Sequence, residues 1–195
     1  SSEDDDWTQL GSNLFIETGN HTCSLNGDGT ICIVGNPNNA PSDYGLVKVY
    51  KYSVGSWTQL GQDLTGTESW DLFGGDVDIN SDGTIIAVGA WFGNSPGADS
   101  GYVKVYYYNS TSWVQIDSDI SGEAAGDHCG LSISLNNNGR TIAIGAHGND
   151  GNGTDAGHVR VYSLPISSSG VDTAPQINYN NYSLNAPESF DTNIT

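Results

Sequence analysis

The sequence predicts an all-β protein made of three four-stranded, propeller-blade-like repeats followed by an extended C-terminal strand. Three observations predict it. The stretch "WTQLG" stands at 7–11 and again at 57–61, with "WVQID" at 113–117. The stretches "NGDGTICIVGN", "NSDGTIIAVGA" and "NNNGRTIAIGA" align on Gly29, Gly83 and Gly139, and "GLVKVYKY", "GYVKVYYY" and "GHVRVYSL" begin at Gly45, Gly101 and Gly157. No stretch has a helical period, and self-similarity at this spacing marks stacked β units.

Each unit reads as a Trp strand, a strand leading into a turn, a strand leaving it, and the closing "VKVY" strand. Asp-Gly or Asn-Gly at the turn supplies positive φ for a tight hairpin. The apolar run after the turn predicts a strand buried on both faces. Repeat one is shorter: Trp7 to Gly29 is 22 residues against 26 in the other two, so its loops shrink while its strands keep their length. The expected organisation is an acidic segment 1–6, a propeller-like domain 7–164 divided as 7–56, 57–112 and 113–164, and a linker and tail 165–195.

Five Lys+Arg against 23 Asp+Glu give a net charge of -18. Such a surface repels phosphate backbones and anionic membrane faces, which argues against nucleic acid as a partner and favours cations. No apolar run is long enough to cross a bilayer as a helix, so no membrane insertion is expected. The opening "SSEDDDW" reads as a mature or excised segment, and an extracellular or cell-surface location is the expectation. Cys23 and Cys32 flank the first turn, where two readings stand: a disulfide between residues facing each other across the hairpin, or two small buried thiols.

"GDHCGLSISLNNNGRTIAIGAHGND" and "DLFGGDVDINSDGTIIAVGA" resemble the FG-GAP-type repeats of integrin-alpha-like β-propellers, a resemblance that covers residues 7–164. It implies an extracellular propeller-like fold used in adhesion or scaffolding. Closed propellers have about 4 to 8 blades, and three are legible here. Either further blades belong to a longer precursor, or chains combine, or the sheets pack as an open array. The tail "QINYNNYSLNAPESFDTNIT" is similar to the opening of cadherin-like domains. As a donor strand it would add to a neighbouring copy and build a filament.

Five N-glycosylation sequons, Asn20, Asn109, Asn152, Asn181 and Asn193, fall mostly in turns, loops and the tail. Asp78, Asn80 and Asp82 followed by Gly83 match the first half of a calcium loop, but Ile86 and Gly89 stand where later ligands belong. A repeated turn accounts for the same residues without metal, and calcium is a permitted rather than a required cofactor. Glu17, Asp71 and Asp127 recur, as do Asp43, Asp99 and Asp155, and Lys48, Lys104 and Arg160. Regular recurrence predicts loop-capping hydrogen bonds or repeated ion pairs.

No nucleophile, acid-base pair or metal set has its required context, so the chain is not expected to be an enzyme. Ser95 in "GNSPG" lies in a loop of an all-β repeat, away from the elbow that motif needs. The histidines His21, His128, His147 and His158 form no motif. Trp7, Trp57 and Trp113 are expected to pack between sheets. Trp91 and Phe92 occupy a variable loop, which keeps a carbohydrate-binding module as the alternative to a self-associating adhesive one that meets glycans or cell-surface proteins.

Overall fold

A computed structural model describes residues 7–14, 16–39 and 44–164 of the chain. The segment 1–6, the tail 165–195 with its sequons Asn181 and Asn193, and Asp43 lie outside the described residues. Three antiparallel sheets follow one another in chain order. Blade one holds β1 (Thr22–Leu25), β2 (Ile31–Asn36), β3 (Leu46–Ser53) and β4 (Ser56–Gln59), with β5 (Leu64–Thr65) also on β3. Blade two repeats this with β6 (Asp76–Ile79), β7 (Ile85–Ala90), β8 (Tyr102–Tyr108), β9 (Trp113–Gln115) and β10 (Ile120–Ser121). Blade three has β11 (Cys129–Leu135), β12 (Thr141–Ala146) and β13 (His158–Ser163).

The hairpin turns are wider than the two-residue loop that Asp-Gly suggests. Gly29, Gly83 and Gly139 have φ of 72°, 74° and 68°, and each donates its amide back to Asn26, Asn80 or Asn136, three residues earlier. The same asparagines use Oδ1 to accept from backbone amides across the loop: Ile31, Thr84 with Ile85, and Arg140 with Thr141. A side chain thus closes what a tighter turn would close with backbone alone. The extra residues shift the register, so Cys23 faces Val34 and Cys32 faces Leu25. The two cysteines lie one diagonal step apart, farther than the Cβ separation of about 4 Å a disulfide needs, and both are free.

The Trp strand does not begin a blade. Trp57 pairs with Tyr52 of the preceding closing strand, and Trp113 pairs with Tyr108. Blades one and two therefore take their outer strand from the repeat that follows, so the blade is offset by one strand from the sequence repeat. Blade three has three paired strands among the described residues.

β7 is buried on both faces, as its apolar run predicts. Ile86 and Val88 point into a cluster with Ile31, Ile33, Val47 and Val49 of blade one. Ala87, with Val103 and Val105, points into a cluster with Ile142 and Ile144 of blade three. Each such buried aliphatic contributes about 1.5 to 3 kcal/mol, so the interfaces between blades are the core. The outer side of blade one is partly covered by Leu14 and Ile16, which pack on Cys32, Val34 and Leu46, while Cys23 and Leu25 on the same face stay exposed.

Candidate functional site

Asp78, Asn80 and Asp82 are engaged in holding the blade. Asp78 accepts from Ser24 Oγ of blade one at 2.8 Å and from the Leu135 amide of blade three at 2.7 Å. Buried Asn80 closes the turn, and Asp82 accepts from the amide and hydroxyl of Thr84. Asp28 and Thr30 repeat the last arrangement in blade one, where those bonds hold the exposed Asp28 carboxyl below its ordinary range. Asp76 accepts from the Ile133 amide at 2.6 Å, and burial raises its pKa. Asp76 and Asp78 thus act as cross-blade acceptors, whereas Asp28 and Asp82 close their own turns.

The recurring basic residues form ion pairs. Lys48 meets Asp63 at 3.2 Å, and Lys104 meets both oxygens of Asp119 at 2.8 Å. Arg160, at the same repeat position, pairs with Glu123 instead.

The loops joining the strands at one end of the blades bring together residues that are scattered in sequence. The imidazoles of His128 and His147 stack with centroids 4.8 Å apart and planes within 15°. Phe92 and Trp91 meet His128 edge-on at 5.2 and 5.7 Å, and their own rings lie 4.2 Å apart. His128 Nδ1 lies 3.2 Å from the Trp91 carbonyl oxygen. Glycine makes the approach possible, since a Cβ on Gly75 would stand 2.7 Å from the Trp91 ring. Trp91, Phe92 and His128 are half-buried and His147 is exposed, so the cluster is a partly open aromatic surface between blades two and three.

Two buried carboxylates anchor these loops. Asp127 accepts from the amides of Glu123 and Ala124 and from Asn149 Nδ2. Asp71 accepts from the Glu68 amide and, at 2.8 Å, from the Tyr102 hydroxyl, while its Oδ1 has no hydrogen-bond partner. Gly93 stands where blade three has Asn149, and Tyr102 fills the space. Burial raises the pKa of Asp71 against the lowering effect of those two hydrogen bonds, and burial beside that carboxylate raises that of Tyr102. The sequons Asn20, Asn109 and Asn152 are all exposed.

Sequence reasoning named Trp91 but missed the histidines. The hairpin register holds the missing signal: β11 and β12 pair Cys129 with Ala146, so the residues just outside that pair, His128 and His147, must emerge side by side. The comparison of repeats hides this, because His147 aligns with Trp91 and Pro37.

Stacked antiparallel blades, of five, five and three paired strands among the described residues, with loops gathered at one end define a propeller-type repeat protein. Residues 120–162, within the third unit, match the FG-GAP repeat family. No curated protein matches the chain's sequence. Among solved structures the chain is similar to a candidate 6-phosphogluconolactonase from Bacteroides uniformis, at 11% identity and TM-score 0.52, covering 89% of this chain and 45% of that one. It is also similar to a hypothetical selenium-binding protein from Sulfolobus tokodaii, at 12% identity and TM-score 0.52, covering 81% of this chain and 39% of that one. At such identities the likeness is one of fold alone, and this chain spans less than half the length of either.

Proposed function

We propose that the chain is an extracellular structural and adhesive module, glycosylated at its exposed sequons, that associates with copies of itself and meets its ligand through the blade-two and blade-three loops. The observation that carries this reading is the partly open cluster of Trp91, Phe92, His128 and His147, built from variable loop residues on a rigid scaffold. It is not an enzyme, and it needs no cofactor. Calcium at Asp78, Asn80 and Asp82 would have to displace hydrogen bonds that join the blades, so added calcium is expected to leave the melting temperature unchanged. Filament growth through residues 165–195 finds no support among the described residues.

A carbohydrate ligand is the second reading, favoured by the aromatic faces of Trp91 and Phe92, since sugar rings stack on such faces. Binding of the full chain to a glycan array and to intact cells, compared with Trp91→Ala, tests both. Glycan binding lost in the variant supports the carbohydrate reading, and cell binding without glycan binding supports a protein ligand. If Trp91→Ala changes neither, the loop cluster is not the contact surface.

A further inference from the structure

We propose that two copies of this chain close head to tail, the outer face and edge of blade three in one copy receiving blade one and the residue 7–11 segment of the other. This deepens the self-association proposed above and names its route. It rests on the mismatch between the two ends of the blade array, which are the two halves of an interface the chain already builds twice.

The face comes first. Between blades one and two, Val47 and Val49 pack in one cluster with Val77 and Ile79, all of them buried. Between blades two and three, buried Val103 and Val105 share a cluster with the partly buried Ile133 and Leu135. The repeat places Val159 and Val161 in the first role and Cys23 and Leu25 in the second. Val159 is 61% exposed and Leu25 is 57% exposed, where their counterparts Val103 and Ile79 are 0% and 5%. Cys23 is likewise exposed.

The edge repeats the pattern. The segment 7–13 repeats a hydrogen bond of the two outer strands: Gln9 donates to Asn13 as Gln59 does to Asp63 and Gln115 does to Asp119. Yet Trp7 is fully exposed. Among the described residues, no closing strand pairs with this segment and no outer strand pairs with β13. The register of blades one and two sets Thr58 against Lys51 and Val114 against Tyr107, which translates to Thr8 against Ser163. Arg160 pairs with Glu123, where its counterparts Lys48 and Lys104 pair with Asp63 and Asp119 just beyond the outer strand of their blade; among the described residues blade three has no such segment.

A hollow marks the place for the indole. Trp113 fills the first blade junction beside Leu60 and Tyr108. The second junction has an open apolar hollow lined by Val105, Ile120, Leu135, Ile142, Tyr162 and Leu164. By repeat position it is the same site without its Trp, and Trp7 of the partner copy supplies it. Asp117 stands where the other units have Gly11 and Gly61, with the same left-handed backbone at φ 55°. Leu164 in place of Tyr108 leaves room for its added side chain. Two copies of three blades make six, within the range of about 4 to 8 that closes. Each copy carries a charge of -18, so association strengthens as salt screens it.

The test uses the full chain with Cys23→Ser, to remove the exposed thiol. Thr8→Cys and Ser163→Cys are made separately, and both sites are exposed, so folding is not at risk. The mixture is treated with a short bis-maleimide while light scattering follows the mass. The expected result is a product joining one variant of each kind, and a mass twice the 20.5 kDa of the chain that rises from monomer with concentration and salt. Trp7→Ala should weaken the dimer at least tenfold. A monomer at every concentration overturns self-association by any route. A dimer without the Thr8–Ser163 product overturns this route alone, as does continued growth beyond two copies. A product that forms only after removal of residues 165–195 makes the tail the native occupant and also overturns it.

Discussion

The indole of Trp113 donates its Nε1 proton to the Leu60 carbonyl at 2.9 Å, and Trp57 makes the same bond to Leu10 at 2.8 Å. The outer strand of blade two is thereby tied to the end of that of blade one, and the outer strand of blade one to the segment 7–11. The glycine that follows the accepting leucine lets the ring lie flat on the backbone.

A methyl group at that glycine is the first prediction. Gly61 has φ 79°, and a Cβ there would sit 2.7 Å from Trp113 Cδ1. Gly61→Ala should cost about 2 to 4 kcal/mol by urea denaturation, with altered Trp fluorescence. Gly29 has a similar φ of 72° and nothing within 4 Å. Gly29→Ala should cost only about 1 kcal/mol, and equal losses would mean that the ring contact contributes nothing.

The repeated ion pairs should differ in weight. Lys104 is 8% exposed and bonded to both oxygens of Asp119, whereas Asp63 beside Lys48 has a half-exposed side chain. Asp119→Ala strands a buried ammonium and should destabilise by about 3 kcal/mol. Asp63→Ala should stay within about 1 kcal/mol.

Thiol chemistry should separate the cysteines cleanly. Burial pushes Cys32 up to about 11 and Cys129 up to about 12, while Cys23 is exposed. At pH 8 a chromogenic disulfide reagent should titrate one thiol in the native protein and all 3 after denaturation. Fewer than three on denaturation would reveal a disulfide between Cys23 and Cys32.

Asp71 gives a pH dependence of unusual sign. Its folded pKa is raised above the ordinary value of 3.8, so its favourable contribution is present below that value and is lost as pH rises through the folded one. Asp71→Asn keeps an acceptor for the Tyr102 hydroxyl and removes a buried charge. It should melt higher than the parent at pH 7, by about 2 to 4 °C for each kcal/mol gained, and the gap should close toward pH 3. A gap that widens in acid would mean that the carboxylate is held by partners in its charged form.

Much of the blade was legible in the sequence, because Gly29, Gly83 and Gly139 fix where each hairpin turns and the apolar run after each one fixes the central strand. The strand offset was not. A Trp strand flanked by identical neighbours carries no mark of which closing strand it joins, and only the pairing of Trp57 with Tyr52 decides it. The cysteines were misplaced across the first hairpin for a related reason: the side chain of Asn26 widens the turn, and a turn's width sets the register of everything beyond it. At the loops, the stacked histidines depend on a register shift between Cys129 and Ser132, which carries no compositional signature. Trp91 and Phe92 were visible as variable loop residues, but the histidines stacked beside them were not.

The strand offset also governs how such an array gains or loses units. Because β4 and β9 each belong to one repeat in sequence and to the previous blade in space, a duplicated repeat arrives with a stitch for the blade behind it and an open seam ahead. Copy number can therefore change by whole repeats without leaving a raw edge inside the array. Among the described residues, the closing strand left without an outer partner is β13 of the last blade.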